Sequence, residues 1–313
     1  MSVAAEVAKR SEPVELFKQF STRFDPEYGV LWGFMRPTGR ASFNLQLLDE
    51  LSAFVRTIAE SGGVVSQDAN DEPIKYAVIA SAVPGVFNLG GDLALFRDAV
   101  SEQNRKSLVQ YGRRCIDNQY PWYCNFGLPM TTISLVQGDA LGGGFECALS
   151  STVLVAEESA RMGFPEILFN LFPGMGAYSF LHRKVGRRVA EEMIGGGVIY
   201  SARQLYDMGV VDVITPDGTG EAAVYSFIRK HSKAGNARRG LETVRSSVDP
   251  LTHEELVRVV EIWADTALKL SSRDLKIMER LLRAQRRSEV EQRDEPNSEA
   301  SNVVRLEAAG TGD

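Results

Sequence analysis

Histidine and cysteine are scarce, with three of each in 313 residues. Cys115, Cys124 and Cys147 have no zinc-like spacing, and an odd number in so long a chain builds no disulfide framework. They read as free thiols in a reducing cytoplasm. His182, His231 and His253 are scattered, so neither a metal cluster nor a Ser–His–Asp arrangement emerges. Basic charge is short as well. The chain has 35 Lys and Arg against 41 Asp and Glu, and a net charge of −6 argues against a nucleic-acid partner. No uncharged apolar run approaches the ~18 residues of a membrane span. The polar start MSVAAEVAKRSEPVE lacks the apolar stretch of a secretory signal. The expectations are no metal, no cofactor, no membrane span and a cytoplasmic protein.

What is present is an ordinary globular balance, 44% hydrophobic and 24% charged, in a chain long enough for a sizeable core. After a polar lead-in over 1–12, strands are expected from Leu16 to Phe24 and from Gly29 to Met35. Leu47, Leu48, Leu51, Phe54, Val55 and Ile58 recur at three- and four-residue steps, which predicts a helix over 45–60. The stretch GGVVSQDANDEP (62–73) reads as a loop from its Gly, Asn, Asp and Pro content. Further strands are expected at Lys75 to Ala80, Thr131 to Val136, Thr152 to Ala156 and Val210 to Ile214, with helices at 142–150, 177–194 and 201–208. Ser201 suits the N-cap of the last helix and Gly209 its C-terminal stop. The alternation predicts an α/β core over 13–218. Beyond it lies a helical region over 219–289, with helices at 252–270 and 272–289. The polar tail over 290–313 reads as disordered.

Three segments carry chemistry. Val86-Phe87-Asn88-Leu89-Gly90-Gly91-Asp92 follows a strand and precedes a helix that Asp92 can cap. Gly142-Gly143-Gly144-Phe145-Glu146 opens a helix on three glycines, exposing unpaired amides at the positive end of its dipole. Each of those glycines costs the helix roughly 1 kcal/mol relative to alanine, so close packing or a developing anion must favour them. The spacing is not that of a dinucleotide loop. Met162-Gly163-Phe164-Pro165-Glu166 sets a second carboxyl among apolar neighbours, where its pKa rises toward the range of a proton-transfer group.

Together these segments resemble the crotonase (enoyl-CoA hydratase/isomerase) superfamily, whose F-x-x-G-x-D, A-L-G-G-G-x-E and G-x-P-E motifs occur here in order. The resemblance implies a spiral of ββα units with a C-terminal helical trimerisation region. It implies an oxyanion hole from the amides of Gly91 and Gly143, and a catalytic pair Glu146 and Glu166. The stretches NLGGDLALF, LVQGDALGGGFECALS, GFPEILFNLFPGMGAYSF, YSARQLYDMGVVD and EIWADTALKL are similar to the diffusible signal factor synthases. Those enzymes dehydrate a 3-hydroxyacyl chain on acyl carrier protein to the cis-2-enoyl thioester and hydrolyse it to a free cis-2-unsaturated acid for quorum sensing.

On this reading the two amides steady the carbonyl oxygen as the C2 proton leaves, one glutamate takes that proton, and the other protonates the departing hydroxyl. Leu141, Met175 and Trp263 are candidate walls of an acyl pocket, with core packing the alternative for Trp263. Gly85 stands where many hydratases carry a Lys or Arg for the CoA phosphate, which favours carrier protein over CoA. The basic run from His182 to Arg188 is a candidate dock for acidic carrier protein, against a solvated surface or subunit contact. The resemblance also implies a homotrimer or a dimer of trimers. The alternatives are an enoyl-CoA hydratase of fatty-acid degradation and a regulatory binding protein for a sensor kinase.

Overall fold

A computed structural model describes residues 17–67 and 70–281. The lead-in over 1–12, the tail over 290–313, the start of the first strand at Leu16 and the end of the 272–289 helix lie outside the described residues. In chain order the described residues form β1 (Phe20–Asp25), β2 (Val30–Met35), α1 (Leu45–Glu60), β3 (Val64–Gln67), β4 (Asn70–Pro73), β5 (Tyr76–Ser81), β6 (Gly85–Asn88), α2 (Leu93–Ser101), α3 (Arg105–Tyr123), β7 (Thr131–Val136), β8 (Gly138–Leu141), α4 (Gly143–Leu149), β9 (Val153–Glu157), β10 (Arg161–Gly163), α5 (Ala177–Gly196), β11 (Ile199–Ser201), α6 (Ala202–Asp207), β12 (Val213–Thr215), α7 (Gly220–Ser232), α8 (Gly235–Val248) and α9 (His253–Ala267). Residues 272–281 are helical again.

Six strands make the larger sheet, in the order β1-β2-β5-β7-β9-β12. Only the β1–β2 pair is antiparallel, and the rest run parallel. Parallel strands are covered on both faces, so they read as continuous apolar runs rather than alternating ones. Every residue of β7 and β9 is buried accordingly. A smaller sheet, β11-β10-β8-β6, lies one short step away in the chain, since only Gln137 separates β7 from β8. At Gly138 a Cβ would run into the backbone of Gly85 and Val86, so β6 and β8 approach closely only because that position is glycine.

α1 forms over the expected span. Asn44 caps it by accepting from the Leu47 amide, and Leu47, Leu48, Leu51, Phe54, Val55 and Ile58 bury one face. α6 starts on a Ser201–Gln204 capping box, and Gly209 follows its end at φ +79°.

Two spans differ from expectation. Residues 62–73 are not a plain loop, because β3 and β4 pair there as an antiparallel hairpin with Val65 buried. The polar residues that suggested a loop lie along the ribbon's pairing stretch instead. The last strand of the large sheet runs Val213–Thr215 rather than from Val210, because Val210 and Val211 still close the turn after α6 through the Leu205 carbonyl. Among the described residues no helix is long and apolar enough to cross a membrane.

Candidate active site

The three glycine-bearing segments meet where the small sheet ends. β6 runs into Leu89-Gly90-Gly91, and β8 runs into the triple glycine at the start of α4. Gly90 has φ +89°, and a Cβ there would sit 2.9 Å from the Leu141 carbonyl oxygen and 3.1 Å from the Gly143 nitrogen. The two turns can touch only because this position has no side chain. Asn88 holds the first turn by accepting from the Gly90 amide at 2.8 Å. The Tyr111 hydroxyl accepts from the Asp92 amide at 3.0 Å and donates to the Phe43 carbonyl at 2.7 Å, tying the turn to α3. Asp92 caps α2 through the amides of Ala94 and Leu95.

The amides flanking Gly91 are engaged, Gly90 donating to Asn88 and Asp92 to Tyr111. Around Gly143, the Gly142 amide donates to the Gly163 carbonyl and the Phe145 amide to the Gly142 carbonyl. Among the described residues the Gly91 and Gly143 amides have no acceptor, and both residues are only half-buried. A Cβ built on Gly143 would lie 3.6 Å from the Gly91 nitrogen, so the two free donors are near neighbours. Two such amides converging on a cleft are suited to an oxygen that gains negative charge.

Glu146 projects from the first turn of α4 and is 1% exposed. Its Oε1 accepts from the Met175 amide at 2.7 Å and the Ala177 amide at 3.0 Å. Burial still pushes its carboxyl up to about 7, against the pull of those two donors. Glu166 opens the 3₁₀ turn Glu166–Phe169. Its Oε1 lies over Gly142, where any Cβ would collide with it. The residue is half-exposed, but its Oε2 is sealed from solvent and has no hydrogen-bond partner among the described residues. Burial first, and the nearby Glu146 charge second, push this carboxyl up to about 8. Two carboxyls that disfavour each other's charge can hold one proton between them near neutral pH, so one can take a proton while the other gives one.

All seven expected site residues, Gly91, Leu141, Gly143, Glu146, Glu166, Met175 and Trp263, line one cavity. Most of its lining side chains are apolar, Leu89, Phe96, Leu141, Phe169, Leu171 and Met175 among them, which suits an apolar ligand. Trp263 both walls it and packs. Its ring lies 5.5 Å from that of Phe96 and occupies the space that a side chain on Gly174 would take. Phe43, Leu89, Phe96, Tyr111, Cys115, Gln119, Phe169 and Leu171 complete much of the wall and were not expected from the sequence. Tyr111, Cys115 and Gln119 share a four-residue step along α3, a period that marks one helix face.

Two lesser expectations change. Gly85 has φ +69°, so its backbone itself calls for glycine and its identity carries no information about the thioester carrier. Three cations of the run from His182 to Arg188 are paired within the chain, Arg183 with Glu255, Lys184 with Asp212 and, at the surface, Arg187 with Glu191, which lowers the positive charge left for an acidic partner.

A family model described as Enoyl-CoA hydratase/isomerase matches residues 33–279. The enoyl-CoA isomerase/hydratase fer4 of Mycosarcoma maydis is 27% identical over 241 residues, 76% of this chain and 84% of the relative. Human mitochondrial methylglutaconyl-CoA hydratase is 30% identical over 195 residues, 62% of this chain but only 52% of the relative, so the match spans about half that protein's length. The solved structure of Pseudomonas aeruginosa DspI aligns with a TM-score of 0.60 at 18% identity, covering 91% of this chain and 99% of that one, a likeness of fold.

Proposed function

The chain belongs to the enoyl-CoA hydratase/isomerase family of the crotonase superfamily, and from the similarity of its stretches NLGGDLALF, LVQGDALGGGFECALS and GFPEILFNLFPGMGAYSF to the diffusible signal factor synthases we propose that it is one of them. It dehydrates a 3-hydroxyacyl thioester on acyl carrier protein to the cis-2-enoyl thioester, then hydrolyses that thioester to the free acid. The observation that carries the reading is the pair Glu146 and Glu166, both with pKa values near neutrality, facing one apolar cleft beside the unpaired amides of Gly91 and Gly143.

The Gly91 and Gly143 amides grip the thioester oxygen. One carboxyl of the pair removes the C2 proton while the other delivers its proton to the 3-hydroxyl, which leaves as water. In the second step a carboxylate of the same pair takes a proton from water, the resulting hydroxide equivalent adds to the thioester carbon, and the thiol departs with a proton. The same two amides stabilise the tetrahedral oxygen. The helical stretch after β12 would build a homotrimer. The acidic chain and its cysteine usage accord with a cytoplasmic enzyme.

A second reading, hydratase action on trans-2-enoyl-CoA, is favoured by the names of the sequence relatives, which are enoyl-CoA and methylglutaconyl-CoA enzymes. Mass spectrometry of the products separates the two. The purified chain given 3-hydroxyacyl carrier protein should release free cis-2-enoic acid, and the Glu146→Gln, Glu166→Gln double variant should release none. Reversible hydration of trans-2-enoyl-CoA with no free acid would replace the proposal with the second reading.

A further inference from the structure

Gln119 stands on α3, lines the same cavity as Glu146 and Glu166, and has no part in the chemistry derived above. The residue is 6% exposed, and its Oε1 is sealed from solvent with no hydrogen-bond partner among the described residues. An unpaired acceptor is costly to bury, and well-packed interiors pair such atoms. Other polar side chains of the same wall are already engaged. Tyr111 joins the Asp92 amide to the Phe43 carbonyl, and Asp92 caps α2. The backbone beneath Gln119 is anchored, because the Asn118 amide donates to the Leu48 carbonyl at 3.2 Å and to the Arg114 carbonyl at 3.0 Å. The Asn118 Oδ1 is unpaired as well, but Asn118 is not in the wall of the cavity that holds the glutamates.

The direction of the Gln119 side chain suits a place beside the carboxyl pair. Long side chains on a helix lean back over the preceding turn. One turn before Gln119 stands Cys115, which lines the same cavity. Burial first, and the charge of nearby Glu146 second, raise the pKa of the Cys115 thiol. Cys147, which follows Glu146 in the chain, lines a smaller neighbouring cavity together with Cys115 and Gln119. Gln119 and Glu146 therefore border the same stretch of wall from two helices, α3 and α4.

A free acceptor among apolar side chains, beside two carboxyls, fits a ligand that brings one hydroxyl to that spot. We propose that the Gln119 Oε1 accepts a hydrogen bond from the 3-hydroxyl of the substrate, and that Gln119 is the residue by which the site tells a 3-hydroxyacyl chain from an unsubstituted one. The inference rests on the acyl-thioester reading above and deepens it. The 3-hydroxyl keeps its own proton on Gln119 and turns a lone pair toward the protonated carboxyl. As it takes that second proton, the C3–O bond breaks, the C2–H electrons form the C2–C3 double bond, the other carboxylate receives the C2 proton, and water leaves. Gln119 neither gives nor gains a proton. A site built to bind a hydroxyl rejects the analogue that lacks it, because the acceptor is then left buried and unpaired.

Calorimetry with decanoyl amides tests the contact, since an amide in place of the thioester resists turnover. The better-binding enantiomer of the 3-hydroxy amide should bind the wild-type chain roughly tenfold more tightly than the unsubstituted amide. The 3-fluoro amide, similar in size to the 3-hydroxy one but with no proton to donate, should bind like the unsubstituted amide. That comparison needs no variant, so it stands whether or not a substitution at Gln119 folds. Gln119→Met, close in volume and without the carbonyl, should bring the 3-hydroxy amide down to the level of the unsubstituted one, whose own affinity stays the same or rises. Equal affinity of the wild type for the 3-hydroxy and unsubstituted amides would overturn the proposal and leave the acyl reading intact. So would a 3-fluoro amide that binds as tightly as the 3-hydroxy one, or a hydroxyl preference that survives Gln119→Met. Failure of the wild type to bind any of the three amides would overturn both.

Discussion

Glu146 keeps one oxygen on the amides of Met175 and Ala177, whereas the Oε2 of Glu166 has no partner among the described residues. Both carboxyls therefore pay for burial in a raised pKa, about 7 and about 8, and they titrate as a pair. The productive form carries one proton. It is lost as pH falls through the lower value, because both groups are then neutral and no base remains. It is lost as pH rises through the higher value, because both are then charged and no acid remains. The dehydration rate should thus be bell-shaped with its top between about pH 7 and about pH 8. Steady-state assays on Glu146→Gln and Glu166→Gln should each show kcat lowered by roughly 10²–10⁴, with the double variant little worse than the worse single. A flat pH profile, or a single variant with full activity, would remove that glutamate from the mechanism.

α5 and α9 are joined by Arg183, whose side chain is 9% exposed. It donates to both Glu255 oxygens and to the carbonyls of Ser179, Asp249 and Pro250. Since α9 also carries the cavity wall Trp263, this ion pair positions the site as well as the helices. Arg183→Ala should lower the unfolding free energy by on the order of 2 kcal/mol, read from urea denaturation. No loss of stability would mean that the pair is solvated after all.

The elements that were legible in the sequence are those whose signal is local. The apolar period and cap of α1, the apolar run of β7, and the Ser201 and Gly209 boundaries of α6 lie within a few residues of the features that dictate them. The three motif segments were legible because glycines and a carboxyl at fixed spacing have few other uses. α3 was not, because its buried face mixes Tyr111 and Trp122 with Gly112, Asn118 and Gln119 and so carries a weak apolar period. The hairpin over 64–73 was hidden by polar composition, and the ion pairs of Arg183 and Lys184 connect residues far apart in sequence.

At the scale of the whole molecule, the carboxyl pair leaves a mark on folding. In the native chain Glu146 and Glu166 hold protons well above the ordinary 4.5 of a glutamate, so between about pH 5 and about pH 9 the folded state binds more protons than the unfolded one. Their contribution to stability is fully present below the unfolded value and is lost as pH rises through the two folded values. Glutamine at both positions mimics the neutral form and carries no such loss. The decisive measurement is the unfolding free energy against pH for the wild-type chain and for the Glu146→Gln, Glu166→Gln variant. The wild type should fall relative to the variant by on the order of a few kcal/mol as pH rises from about 5 to about 9. A difference that stays constant over that range would mean both carboxyls ionise as ordinary solvated glutamates, and would contradict a shared buried site.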